Sequence, residues 1–492
     1  MERLAKIGNV KAFSSKEIKD SRIGIGFEKL DRAVFDPEKA YDKVAATGAK
    51  WVRIQSGWAR TEKAKGIYSF EWLDSIVDNL VNRGMRPWLC LCYGNPLYNA
   101  EAAKVFGAAG WPPIFSQEEK DAWCAYVTAT VRRYKGKIQW YEVWNEPDGI
   151  WCWKHGPNGT EYGELVKMTA AAIKKGDPDA KVLGGSECTF NLEWLAAVLA
   201  TGAGALMDGY TYHNYMANEA LLPELVRGKI ALLRRANPNI KIIQGETGCQ
   251  SRSDGHGALN GGAWTPLKQA KFMVRHTIND FISNVMFSSY FSCMDMVEAL
   301  NGTAGNVPSY KDFGYFGILS ADFDENGVAS GNYTPEPSYR TLQTLASIFR
   351  EEFTVEPIPF HFTYRYSQRM LRTEESGETF SSASFTKPNG SSAIAYWKPT
   401  EILTTSYEGT TSIESVVPGK PRLVDLLDGS VYEIPDSIKK YELPKKCRKN
   451  GEIVPVPPQN LKESVNDYTL FENIPVKDYP LLLTFGDFFE ME

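Results

Sequence analysis

The chain is poor in the groupings that announce metal, redox or nucleotide chemistry. Its five histidines form neither H-x-H nor H-E-x-x-H, and its eight cysteines form no C-x-x-C pair. Structural zinc and dense disulfide frameworks are therefore not indicated, and the scattered thiols fit a reducing compartment. No G-x-G-x-x-G opens a helix after an early strand, which removes the usual dinucleotide fingerprint. A formal charge of −5 offers no basic field for nucleic acid. No apolar run is long enough to span a membrane. The first twenty residues are charged throughout and lack an apolar core of the secretory type, so a cytoplasmic location is expected. No organic or metal cofactor is expected, and the oligomeric state is not indicated.

What is present is ordinary globular composition on an unusual scale. Hydrophobic residues at 43% and charged ones at 23% describe a folding chain, and 492 residues exceed what one core organises, so two domains are expected. Thirteen Trp and twenty-four Tyr suit core packing and also stacking on flat sugar faces.

From about residue 22 to 350, strand-like and helix-like segments alternate. Expected strands are Ile23 to Phe27, Trp51 to Gln55, Arg86 to Cys92, Ile138 to Trp144, Lys181 to Gly184, Asp208 to His213, Lys241 to Gln244 and Val285 to Phe291. Helical stripes intervene, such as Leu73, Ile76, Val77 and Leu80 on one face. Start signals precede them: Ser116 with Glu119 as a capping box, Thr160 as a cap, and Thr265-Pro266. Eight such units predict a (β/α)₈ barrel; a doubly wound sheet would need a switch point and usually a phosphate-binding turn. Past residue 354 short alternating runs, including Phe360 to Tyr366, Ala393 to Trp397 and Leu481 to Phe485, predict a smaller all-β sandwich. The domains are thus expected at 1–354, with the first residues packing on the second domain, and at 355–492. Asp436 to Glu463, rich in Lys and Pro, reads as a surface excursion.

Two strands end in glutamate. Ile138 to Gly149 reads IQWYEVWNEPDG, a buried strand stopped by Pro147-Asp148-Gly149, with Asn145 and Glu146 at its carboxyl end. Lys241 to Cys249 reads KIIQGETGC and ends in Glu246, which lies 100 residues later. On the fourth and seventh strands of a closed barrel these ends face one another across the mouth. Two carboxylates at roughly 5–5.5 Å suit retaining glycoside hydrolysis.

These residues resemble the clan A (β/α)₈ retaining glycoside hydrolases, whose acid/base and nucleophile end strands four and seven. Through Trp144-Asn145-Glu146-Pro147-Asp148, the following Gly184-Gly185 and the trailing β-domain, the chain is most similar to glycoside hydrolase family 39, which holds β-xylosidases and α-L-iduronidase. The resemblance implies that Glu146 is the acid/base and Glu246 the nucleophile. It further implies that Asn145 bonds a sugar hydroxyl, that Arg53 bonds Glu246, and that His213 and Tyr215 shape the subsite. Trp111 and Trp151, in flanking loops, are candidate sugar platforms. Glu187 and Glu28 end strands five and one and are candidate hydroxyl ligands. The clan often closes the floor with a Trp at the end of strand eight; here the run is Ser288 to Cys293, so the floor is Tyr290 or Phe291. The implied substrate is a carbohydrate, handled in the manner of a β-xylosidase; the missing secretory signal and the long loops around Trp111 and Trp151 point to a closed pocket and so to cleavage from the ends of short oligosaccharides. Other exo-glycosidases of the clan and a non-catalytic sugar-binding barrel remain open. A Schiff-base aldolase barrel is disfavoured, because Lys181 and Lys241 stand at the wrong ends of their strands.

Overall fold

In the computed structural model the described residues are 4–299, 302–362, 379–435, 439–440, 446–449, 452–455 and 469–492. By contacts the chain divides into two compact units, one of residues 12–350 and one of residues 1–11 with 351–492.

The larger unit is a closed parallel barrel of eight strands: β1 Ile23–Gly26, β2 Trp51–Gln55, β3 Arg86–Leu91, β4 Trp140–Val143, β5 Lys181–Glu187, β6 Gly209–His213, β7 Lys241–Thr247 and β8 Ser288–Tyr290. It closes where β1 pairs with β8, Ile25 opposite Tyr290. Each strand is short and buried because helices cover the outside and side chains fill the inside. Alternation along the strands places Trp51, Trp88, Trp140, Leu183, Ile243 and Phe287 in one packed cluster. Trp51 stacks on Phe287 at 4.4 Å between ring centroids, a contact worth about 0.5–1.5 kcal/mol beyond the area it buries.

The helix Glu71–Asn82 buries Leu73, Ile76, Val77 and Leu80, the stripe read from the sequence. Ser116 caps Gln117–Arg133 by accepting from the Glu119 N–H. The helix Gly159–Gly176 is capped by Asn158 rather than Thr160: Asn158 Oδ1, one residue before the helix, accepts from both Thr160 N and Glu161 N. Strands β5 and β7 run three residues beyond the predicted ends, each through an irregular register near its carboxyl end, and β8 is shorter than predicted. Among the described residues no helix is long and apolar enough to cross a membrane.

The smaller unit stacks two antiparallel sheets. The first has the order Lys6–Asn9, Ser430–Glu433, Pro421–Asp425, Leu481–Phe485, Ser392–Trp397, Ser381–Thr386 and Thr354–Val355; the second runs Phe360–Phe362, Glu408–Ser415, Thr469–Lys477 and Lys439–Lys440. Phe471 against Phe485 and Phe362 against Tyr396 join the layers, and the buried Tyr396 hydroxyl finds its acceptor in Pro475 O at 2.8 Å. Most of the predicted excursion at 436–463, and the end of the predicted run at 363–366, lie outside the described residues.

Candidate active site

The site is built upward from the packed interior of the barrel. Arg53 follows Trp51 by two residues on β2, so it points inward above the aromatic cluster, and it is fully buried. Glu142 follows Trp140 in the same way on β4. Arg53 Nη2 lies 2.6 Å from Glu142 Oε2, and Nη1 lies 2.6 Å from Glu246 Oε2 and 3.0 Å from Glu28 Oε2. Nη2 also donates to Asn145 Oδ1 at 2.8 Å and Ser186 Oγ at 3.2 Å. One guanidinium thus serves three buried carboxyl groups, more negative charge than it can balance. Glu28 absorbs the excess: burial pushes its carboxyl up to about 8, against the pull of Arg53 and aided by the charge of Glu246.

The end of β4 is bent into place. Trp144 and Glu146 both have positive φ, 69° and 44°, conformations that cost of order 1–3 kcal/mol each and persist only where surroundings hold them. Those surroundings are visible: Glu146 N donates to Ser186 O at 3.0 Å, and the Trp144 indole donates to Cys152 O at 2.9 Å. The Glu146 side chain turns to His213, whose Nδ1 lies 2.9 Å from Oε1, while Trp151 Nε1 donates to Oε2. Burial alone would raise the Glu146 carboxyl, but His213, Trp151 and Arg53 together bring it below its ordinary value. Burial alone would lower the His213 imidazole, but the charge of Glu246 and the bond to Glu146 carry it above its ordinary value. Both shifts favour the charged forms of the pair, an imidazolium against a carboxylate.

Glu246 is held by Arg53 and by the Tyr215 hydroxyl, which donates to Oε1. One oxygen from each of Glu146 and Glu246 and a ring nitrogen of His213 all lie within 4.8 Å of one another. That spacing also fits a cation, and Arg53, Tyr215 and Trp151 each donate a hydrogen bond to these carboxylates.

A cavity of about 370 Å³ opens over the carboxylates. Asn145, Glu146, Glu246, Tyr215, Trp151 and Phe291 line it, as does Glu28, while Arg53 and His213 lie buried beneath. Three expected ligands are elsewhere. Glu187 is turned outward by a break in the register of β5, where Gly185 has φ 91° and Ser186 has φ 52°. A Cβ at Gly185 would meet Thr211 O at 2.2 Å, so only glycine permits the bend that sends Ser186 inward. Glu187 instead pairs with the buried Lys229 and accepts from the Tyr210 hydroxyl. Tyr290 is buried off the cavity because alternation at the end of β8 gives the inner face to Phe291. Trp111 packs beside Phe115 and His155 instead of lining the cavity.

Other residues of the site went unread. Glu142 and Gln55 were accessible to the period-two rule, Glu142 from Trp140 and Gln55 from Arg53. Lys29, Arg32 and Glu298, which also line the cavity, stand in irregular segments with no pattern to betray them. Lys181, at the opposite end of β5, pairs with Asp208 at 3.1 Å.

A closed parallel barrel with glutamates ending its fourth and seventh strands is the arrangement of the clan A glycoside hydrolases. Within that clan the likeness is to family 39, as the motif implied: residues 38–215 match the model of Glycosyl hydrolases family 39. A β-xylosidase of Geobacillus stearothermophilus is 31% identical over 140 residues, 27% of this chain and 28% of that protein. A β-xylosidase of Caldicellulosiruptor saccharolyticus is 25% identical over 343 residues, 63% of this chain and 64% of the relative. The matched segments therefore span less than two thirds of either relative's length. Among solved structures, a family 39 glycoside hydrolase from Bacteroides cellulosilyticus superposes with a TM-score of 0.63 at 16% identity, over 97% of this chain and 82% of that one, a likeness of fold.

Proposed function

We propose that the chain is a retaining glycoside hydrolase that removes single sugars from the ends of short oligosaccharides or glycosides, in the manner of a β-xylosidase. The observation that carries this reading is the spacing of Glu146 and Glu246, whose nearest oxygens lie within 4.8 Å. Inverting enzymes hold their carboxyl groups roughly 6.5–9.5 Å apart to admit a water between them.

Glu246, fixed by Arg53 and Tyr215, attacks the anomeric carbon as that carbon's bond to the leaving oxygen breaks. Glu146 passes a proton to that oxygen, and the alcohol departs from a glycosyl ester of Glu246. Glu146, now a carboxylate, takes a proton from water, which attacks the anomeric carbon and frees Glu246. His213 Nδ1, 2.9 Å from Glu146 Oε1, is within reach to supply that proton and to take it back. Asn145, oriented by Arg53, presents its side-chain amide to a sugar hydroxyl, and Phe291 forms the floor. A cavity near the small end of roughly 300–1,000 Å³ for ligand sites favours a terminal sugar over an open stretch of polymer. The xylose-like glycone is taken from the relatives' activity.

Rescue chemistry tests the roles. Glu246→Ala should lose turnover of aryl glycosides and regain it with azide, giving a glycosyl azide of inverted configuration. An NMR time course should show the product anomer matching the substrate; the opposite anomer appearing first rules out double displacement. Early accumulation of internal fragments from a long oligosaccharide defeats end-wise action.

A further inference from the structure

Asp148 closes the motif that begins at Trp144, and the mechanism above gives it no part. It lies two residues beyond Glu146, is only 8% exposed and does not line the cavity. Four donors converge on its carboxyl, all from the segment after β5. Oδ1 accepts from Cys188 N at 2.9 Å and from Cys188 Sγ at 3.3 Å, and Oδ2 accepts from Thr189 N at 2.8 Å and from the Thr189 hydroxyl. None of the four is a cation. A buried acid after one strand is devoted to holding the chain that leaves the next.

This clasp is the second of two between the same segments. Glu146 N donates to Ser186 O at 3.0 Å, so the chain is tied at Glu146 itself and again at Asp148, with Pro147 between them. Proline fixes its own φ, which leaves Glu146 little freedom to move independently of Asp148. Gly149 N donates to Glu146 O at 3.0 Å and closes the turn. A Cβ on Gly149 would come within 2.5 Å of the Trp151 ring, so the glycine lets Trp151 fold back and donate to Glu146 Oε2. The left-handed φ of Glu146, 44°, persists only while its surroundings hold it. Asp148 anchors the turn that carries it.

The nucleophile is held separately. Glu246, on β7, is fixed by Arg53 and Tyr215, neither of which touches Asp148. Releasing the clasp therefore displaces the acid and leaves the nucleophile in place.

We propose that Asp148 is a positioning residue for the general acid: by clasping Cys188 and Thr189 it holds the Glu146 carboxyl in line with the leaving oxygen. This assignment rests on the glycosidase reading above.

The test varies the leaving group and reads kcat/KM, which reports the step that forms the glycosyl-enzyme. The substrates are the 2,4-dinitrophenyl, 4-nitrophenyl and phenyl glycosides of the best-accepted sugar. Dinitrophenolate departs without a proton, whereas phenol needs one. Asp148→Asn keeps one acceptor and turns an NH₂ group toward the remaining donors. It should retain kcat/KM on the dinitrophenyl glycoside and lose roughly 10- to 100-fold on the phenyl glycoside, the effect of a displaced acid. Glu146→Gln supplies the reference, with the same selectivity in larger measure. Thr189 is exposed, and Thr189→Val removes one donor from the clasp; it should show the same selectivity at several-fold and decides the matter if Asp148→Asn does not fold. Losses equal across the three leaving groups, or no loss on the phenyl glycoside, overturn the assignment. Wild-type enzyme inactive on every glycoside, or Glu146→Gln without leaving-group dependence, strikes the glycosidase reading as well. Selectivity in Glu146→Gln without selectivity in the clasp variants strikes Asp148 alone.

Discussion

His213 Nδ1 stands 2.9 Å from Glu146 Oε1 and its Nε2 stands 3.2 Å from Ser186 Oγ, so the imidazole that supports the carboxyl at the end of β4 is itself held by the inward turn of β5. This relationship sets the protonation of the site. Removing the imidazole removes the principal group that lowers Glu146 and leaves burial, which raises it. In His213→Asn the Glu146 carboxyl should therefore titrate at a higher pH than in wild type. Carbon NMR of labelled glutamate side chains, referenced to Glu146→Gln, measures this directly. A carboxyl that titrates at the same or a lower pH would show that His213 does not govern it.

Glu28 makes a prediction about stability. Its folded carboxyl titrates at about 8 against an ordinary value of 4.5. Between those pH values the native protein keeps a proton that the unfolded chain has released, so this group's contribution to stability falls as pH rises through the window. Glu28→Gln keeps the neutral form at every pH. Its Tm relative to wild type should become more favourable from about pH 4.5 to about 8 and level off beyond. A Tm difference independent of pH would mean that Glu28 is ionised in the native state.

Most of the barrel was legible because period-two strands alternating with period-3.6 helices leave a long trace, and the glutamates at the ends of β4 and β7 stood where buried strands stop abruptly. What escaped had local causes. The break at Gly185 reverses the facing of every residue after it, so simple counting sent Glu187 inward and Ser186 outward. Asn158, just ahead of Thr160, took the cap because both offer an acceptor and only the backbone decides between them. Lys29, Arg32 and Glu298 are brought together by loops, whose course no hydrophobic pattern records.

The outward turn of Glu187 separates stability from chemistry. Lys229 is 2% exposed and is paired with the fully buried Glu187 carboxylate. Lys229→Met leaves that carboxylate with the Tyr210 hydroxyl alone and no cation, at a cost of about 3–5 kcal/mol, visible in denaturant unfolding. The folded fraction should keep its KM and kcat. A rise in KM matched by a similar rise in Glu187→Gln would return Glu187 to the substrate.

The two loop tryptophans separate in the same way, by what they touch. Trp151 lines the cavity and donates its indole N–H to Glu146 Oε2. Trp151→Phe keeps a flat apolar wall and removes that donor, one of the groups that lowers Glu146. The carboxyl should titrate higher, and kcat/KM should fall by roughly tenfold, the effect of losing one hydrogen bond to a charged group. Trp151→Ala removes the wall as well, so KM should rise further. Trp111 instead packs 5.8 Å from Phe115 and 6.4 Å from His155, centroid to centroid. Trp111→Ala should lower Tm while leaving KM for a small aryl glycoside unchanged. Steady-state kinetics on the three variants decide the matter: equal increases in KM for Trp111→Ala and Trp151→Ala would place both rings against the sugar.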